Sequence, residues 1–136
     1  MRIMAVDLGL VRTGLAICDR QEILATPAGV ITEGNPEKVP VLVAAEAKRL
    51  EAEMIVVGLP KNMDGSKGES ALRAENFAQK LRDLTGLPVQ MWDERMTTVT
   101  AIGFLNENDV RGKKRKAVVD TVSAVIILQN FLDSRK

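Results

Sequence analysis

At Asn35-Pro36 the hydrophobic pattern of this chain changes period, and that change sets the class of fold. Before it, apolar residues fall in short runs, roughly 2–7, 13–19 and 22–32, separated by connections rich in Gly, Asp, Arg and Gln. Three strands of an antiparallel meander are expected there. After it, Val39, Leu42, Val43, Ala47 and Leu50 recur at helical spacing, with Glu46, Lys48 and Arg49 elsewhere on the surface. Met54-Ile55-Val56-Val57 is a continuous apolar run, as befits a strand covered on both faces. A turn-rich loop over 58–67 follows. Ser66-Lys67-Gly68-Glu69 then matches a capping box and opens a helix whose Leu72, Phe77, Leu81 and Leu84 fall near one side. Gly86 and Pro88 stop that helix. A strand over 87–92, a short helix over 98–106 and a last helix over 117–132 complete the order β-β-β-α-β-α-β-α-α. The expected fold is α/β: a five-stranded mixed sheet, parallel where helices cross over, flanked by helices, with the first strand parallel to the later ones.

Composition narrows the chemistry. The 136 residues suit one domain spanning 1–136. Net charge is +1, so attraction to nucleic acid must come from local patches. Histidine is absent, which removes Ser-His-Asp triads, Cys-His pairs and zinc-protease sites. The single cysteine, Cys18, lies in an apolar run and reads as a small buried residue. Neither a secretory signal nor a long apolar span is visible, so a soluble, cytoplasmic protein with no membrane partner is expected.

Three acids stand where apolar elements should carry no charge. Asp7 ends the first strand, Glu94 directly follows the apolar stretch ending at Trp92, and Asp120 interrupts the last helix among Val118, Val119 and Val122. Charged side chains are rarely buried without a partner or a metal, so three carboxylates from distant segments suggest one hard-cation site. Each has a plainer reading. Asp7, in Asp7-Leu8-Gly9 with Gly14, could stabilise a turn. Glu94 could be a first-turn acid favoured by the helix dipole, and Asp120 an acid close to a helix start at Ala117. Thr97 or Thr98 reads most simply as an N-cap.

Two groups of cations accompany the acids. Lys61 sits in the loop after the middle strand, which by residue chemistry alone reads first as a solvated surface loop, and Arg95 follows Glu94. Arg111-Gly112-Lys113-Lys114-Arg115-Lys116 places five positive charges in six residues immediately before the expected last helix, where the dipole disfavours cations. Phosphate binding accounts for that placement better than a solvated face. Aromatic residues are only 3% of the chain and tyrosine is absent, so backbone and shape recognition fits better than base stacking.

Val6-Asp7-Leu8-Gly9, Val57-Gly58-Leu59-Pro60-Lys61-Asn62, Asp93-Glu94-Arg95-Met96-Thr97-Thr98, and Val119-Asp120-Thr121-Val122 with Ile127-Leu128-Gln129 together resemble the YqgF family over nearly the whole chain. These bacterial proteins are similar to the Holliday junction resolvase RuvC and have a ribonuclease-H-like fold. The resemblance implies a nuclease processing the 5′ end of pre-16S ribosomal RNA, an activity assigned earlier on junction DNA. Asp7, Glu94 and Asp120 match the family's acidic cluster, whereas roles for the Gly-Leu-Pro-Lys loop and Arg95 do not follow from the match. RuvC-like resolvases carry a further acid one turn after the last carboxylate. Here that place is Ser123, so a fourth ligand is missing.

The expected chemistry is phosphodiester hydrolysis with Mg²⁺ or Mn²⁺ on Asp7, Glu94 and Asp120. Lys61, Arg95, Arg111, Lys113, Lys114, Arg115 and Lys116 would hold the nucleic-acid backbone, with structured RNA favoured over a DNA junction as partner. Cutting a junction would favour a symmetric homodimer, and trimming one RNA end would not. Two rivals stand beside this reading. An Asp-x-Gly turn also opens the phosphate loop of actin-like sugar kinases, but those need two such domains. A nucleic-acid-binding factor of ribosome assembly or transcription would need only the basic segment.

Overall fold

A computed structural model describes residues 1–59, 68–93 and 112–135, with residues 112–120 described by their backbone alone. β1 (Ile3–Asp7), β2 (Arg12–Cys18) and β3 (Ala25–Thr32) form the expected meander. α1 (Val39–Arg49), β4 (Met54–Leu59), α2 (Glu69–Thr85), β5 (Val89–Asp93) and α3 (Gly112–Ser134) follow. The short helix expected over 98–106 lies outside the described residues. The sheet runs β3-β2-β1-β4-β5, with β1 antiparallel to β2 and parallel to β4, and β4 parallel to β5.

Period-2 alternation sends successive residues to opposite faces, and both faces are apolar because both are covered. Met4, Val6, Leu15, Ile55 and Val57 pack against α1 and α2, through Val43, Ala47, Phe77 and Leu81. Ile3, Ala5, Ala16, Cys18 and Val56 pack instead under α3, through Ala124, Ile127, Leu128 and Phe131. Trp92 joins that second layer by meeting Phe131 edge to face at 5.7 Å.

The helices depart from expectation in three places. α2 buries Ala71, Ala74 and Ala78 beside Phe77 and Leu81, while Leu72 and Leu84 are exposed. Small side chains let the helix approach the sheet, so phase rather than size decides which face is inward. The N-cap of α2 is Gly68, with no side-chain cap, so Glu69 opens the helix and does not close a capping box. Ser66 and Lys67 lie outside the described residues. α3 begins at Gly112, five residues before the expected Ala117, so Lys113, Lys114, Arg115 and Lys116 belong to the helix itself.

The connections are locally closed. Gly86, in the left-handed region at φ 69°, donates its N–H to the Arg82 carbonyl and ends α2. At the end of α1 Glu51 takes that conformation (φ 57°), and Ala52 and Glu51 donate to the carbonyls of Ala47 and Lys48. This pair is a Schellman closure without its usual glycine.

Candidate nucleic-acid-processing site

The pleat decides where Asp7 points. Ile3 and Ala5 face α3, so Asp7, two residues further, continues that row at the strand's C-terminal end. It pairs with Gly14 of β2, while its neighbour Val6 pairs with Val57 of β4. The carboxylate is half-buried, at the edge where open α/β sheets present ligand sites. The turn that follows is close-packed: a Cβ at Gly9 would overlap the carbonyl oxygen of Arg12, so only glycine fits. Glu33 closes the neighbouring loop by donating its N–H to the Val11 carbonyl at 2.8 Å.

Asp120 lies in α3, more than two turns beyond its first residue at Gly112. The plainer reading, an acid at a helix start, therefore falls. Its position is one turn before Ala124, on the row that continues into buried Ala124, Leu128 and Leu132. Ser123, three residues after Asp120, is half-buried in the same helix. Glu94 follows Asp93, the last residue of β5, directly in the chain and lies outside the described residues. So do Lys61, Arg95 and Arg111. Lys113, Lys114, Arg115 and Lys116 form the opening turns of α3, where the positive end of the helix dipole adds to their charge.

The donor set fits a hard cation chemically, since carboxylate oxygens are what Mg²⁺ and Mn²⁺ take. Asp7 is the one of the three acids whose side chain is described. Among the described residues no group of three candidate ligands comes together.

The opposite edge of the sheet fixes α3 in place. The Gln129 side chain accepts from Ala25 N–H at 3.0 Å and donates to the Ile23 carbonyl at 3.0 Å. Glu22 pairs with both the Met1 ammonium (3.2 Å) and Arg135 (2.9 Å). Burial alone would raise its carboxyl, but these two cations hold it below the usual carboxylate value. Cys18 is buried as expected; burial raises its thiol above the ordinary value, against the Ile3 N–H that it accepts at 3.2 Å.

Sequence reading passed over one residue on the α1/α2 side of the sheet, near the C-terminal end of β1. Arg73 lies one turn before buried Phe77, and its Nε is buried with no hydrogen-bond partner. A cation on the same helix row as core positions 77 and 81 was the available signal.

A protein of Protochlamydia amoebophila named "Putative pre-16S rRNA nuclease" is 43% identical over 98% of this chain and 94% of its own length. One of the same name from Halothermothrix orenii is 44% identical over 98% and 95%. Among solved structures, Thermus thermophilus RuvC in complex with a Holliday junction substrate superposes with a TM-score of 0.62 at 12% identity, over 99% of this chain and 95% of that one. Fowlpox virus resolvase bound to Holliday junction DNA gives 0.65 at 11% identity, over 99% of each chain. At that identity the likeness establishes the ribonuclease-H-like fold. The profile of the RuvX family, described as Holliday junction resolvase, matches residues 1–134, and the chain belongs to that family.

Proposed function

We propose that this chain is a single-domain, metal-dependent endonuclease of the cytoplasm that processes the 5′ end of pre-16S ribosomal RNA. The observation that carries the reading is Asp7, a half-buried carboxylate at the C-terminal end of a central strand, on the face covered by α3. Register supports bringing Asp120 to it. Gln129 is tied to Ala25, which pairs with Cys18 beside the start of β1. Nine residues back along a helix rise about 13.5 Å, and four residues along a strand rise about 13 Å. For a helix lying along the strands, Asp120 and Asp7 then stand level. The names of the relatives, at 43% and 44% identity over nearly their full lengths, point the same way.

Asp7, Glu94 and Asp120 would hold Mg²⁺ or Mn²⁺, which when bound supplies Lewis-acid stabilisation of charge on the phosphate. Lys113, Lys114, Arg115 and Lys116, at the start of α3, bind backbone phosphates at a helix N-terminus, joined by Lys61, Arg95 and Arg111. These contacts read no bases, so the strand's shape and position select the cut.

Precursor 16S RNA ends and a four-way DNA junction, each with Mg²⁺ or Mn²⁺, separate the substrates. Asp7→Asn should lower cleavage by on the order of a thousandfold while leaving the melting temperature near wild type. Unchanged cutting by that variant sinks the assignment. The family description, Holliday junction resolvase, favours one second reading, cleavage of a DNA junction, for which a symmetric homodimer is the expected assembly. Preference for the junction would establish it, and binding without cutting would leave a non-catalytic ribosome-assembly factor.

A further inference from the structure

Beside the C-terminal end of β1, on the α1/α2 side, lies a cavity of about 400 Å³ that the proposed acidic site does not use. Its wall begins one residue past Asp7, with Leu8 and Gly9, and continues through Pro36, Val39 and Phe77. Its polar lining is Arg73, Asn76 and Lys80, and among the described residues no carboxylate faces it. Arg73 lines the cavity while its Nε is buried without a partner, so the guanidinium carries unused bonding capacity, and an oxyanion in the cavity would pair with its charge. Lys80 is bound to Glu37 at 3.3 Å, but the two side chains are 45% and 78% exposed. Such a surface pair is weak and exchanges readily for a phosphate.

We propose that this cavity binds a nucleotide unit, the base against Leu8, Val39 and Phe77 and the phosphate on Arg73 and Lys80. The volume lies within the roughly 300–1,000 Å³ usual for small-ligand sites. Apolar walls with two cations select a ligand that joins a flat apolar body to an anion. The cavity opens at the same end of β1 as Asp7, on the other face of the sheet, and a nucleotide is the ligand of that kind which a nucleic-acid strand at this end would supply; that step rests on the nuclease reading. The occupant is either a free mononucleotide or one nucleotide of a bound strand, with the same chemistry in both cases.

The test is NMR titration of the ¹⁵N-labelled full chain with AMP, with inorganic phosphate and with a single-stranded RNA hexanucleotide. The resonances to follow are the Arg73 Nε–H and the amides of Leu8, Gly9 and Gly34. Two variants accompany the wild type. Arg73→Gln removes the cation. Gly34→Leu fills the lining from a position where an added Cβ meets nothing within 4 Å. AMP should shift all four signals, phosphate alone should bind more weakly, and each variant should weaken AMP by about tenfold or more. Competition between the hexanucleotide and AMP would assign the site to the strand; AMP binding without it would assign the site to free nucleotide. The proposal is overturned by absence of shifts with millimolar AMP and hexanucleotide, by AMP binding unaltered in both variants, or by phosphate binding as tightly as AMP. Cleavage read in parallel keeps the two ideas separate. A wild type that binds AMP but cuts nothing fails the nuclease reading alone, and normal cutting with no AMP binding fails the cavity alone.

Discussion

The two edges of the sheet are built for opposite purposes. Where β1 begins, almost every polar group meets another: Gln129 spans Ala25 and Ile23, Glu22 joins both Met1 and Arg135, and Asp19 accepts from Ile23 and Leu24 at 2.8 and 3.0 Å. Where β1 ends, the described residues show less closure: Asp7 stands half-buried at the strand end, and Arg73 Nε is buried without a hydrogen-bond partner. β1 and α3 reach both edges, so bonds made at the first hold the geometry needed at the second. On the proposed function, stability and activity are separated along these two elements, and mutations should sort by edge.

The largest structural effect should come from the layer between the edges. Leu128 is fully buried under the sheet, and Leu128→Ala should cost about 3 kcal/mol in chemical denaturation by leaving a cavity. A loss below about 1 kcal/mol would mean that α3 does not rely on that layer to hold its place. Gln129→Ala tests the anchoring edge itself and should cost about 1–2 kcal/mol, since it strips partners from a partly buried amide. A variant as stable as wild type would remove the tether from the comparison. Glu22→Gln should be the mildest, about 1 kcal/mol or less, because its ion pairs are partly exposed. Its sign with pH is fixed. The folded carboxyl titrates below the ordinary value of about 4.3, so the contribution is present above that value and is lost as pH falls through the lowered one. Urea melts of both proteins should differ at pH 7 and converge in acid.

Much of this architecture could be read from residue patterns. The change of period at Asn35-Pro36, the four-residue apolar run of β4 and the Gly86 stop specified the meander, the buried parallel strand and the end of α2. The start of α3 was misread because the dipole penalty on cations is only tenths of a kcal/mol, up to about one, per charge. Lys and Arg are good helix formers, and their summed propensity carries the helix back to Gly112. The exposed Leu72 and Leu84 were misassigned because hydrophobic size was weighed above helical phase. Asp7 was legible as a charge ending an apolar strand. Arg73 was legible only in part: its place on the row of Phe77 and Leu81 is a local pattern, but the burial of its unpartnered Nε is a tertiary fact that no local pattern encodes.

The packing of α3 on β1 has a consequence for how the molecule reaches its native state. Ile3 and Ile127 share one core layer across most of the chain's length, so this face closes only after a long loop-closing search. Until then the sheet exposes Ile3, Ala5, Val56 and Trp92 as an uncovered apolar surface, the kind that aggregates from partly folded chains. Asp7 shares that face, so the step that protects the chain from aggregation is also the one that completes the surroundings of its carboxylate. Competence to act on nucleic acid is therefore expected to arrive late in folding, together with solubility.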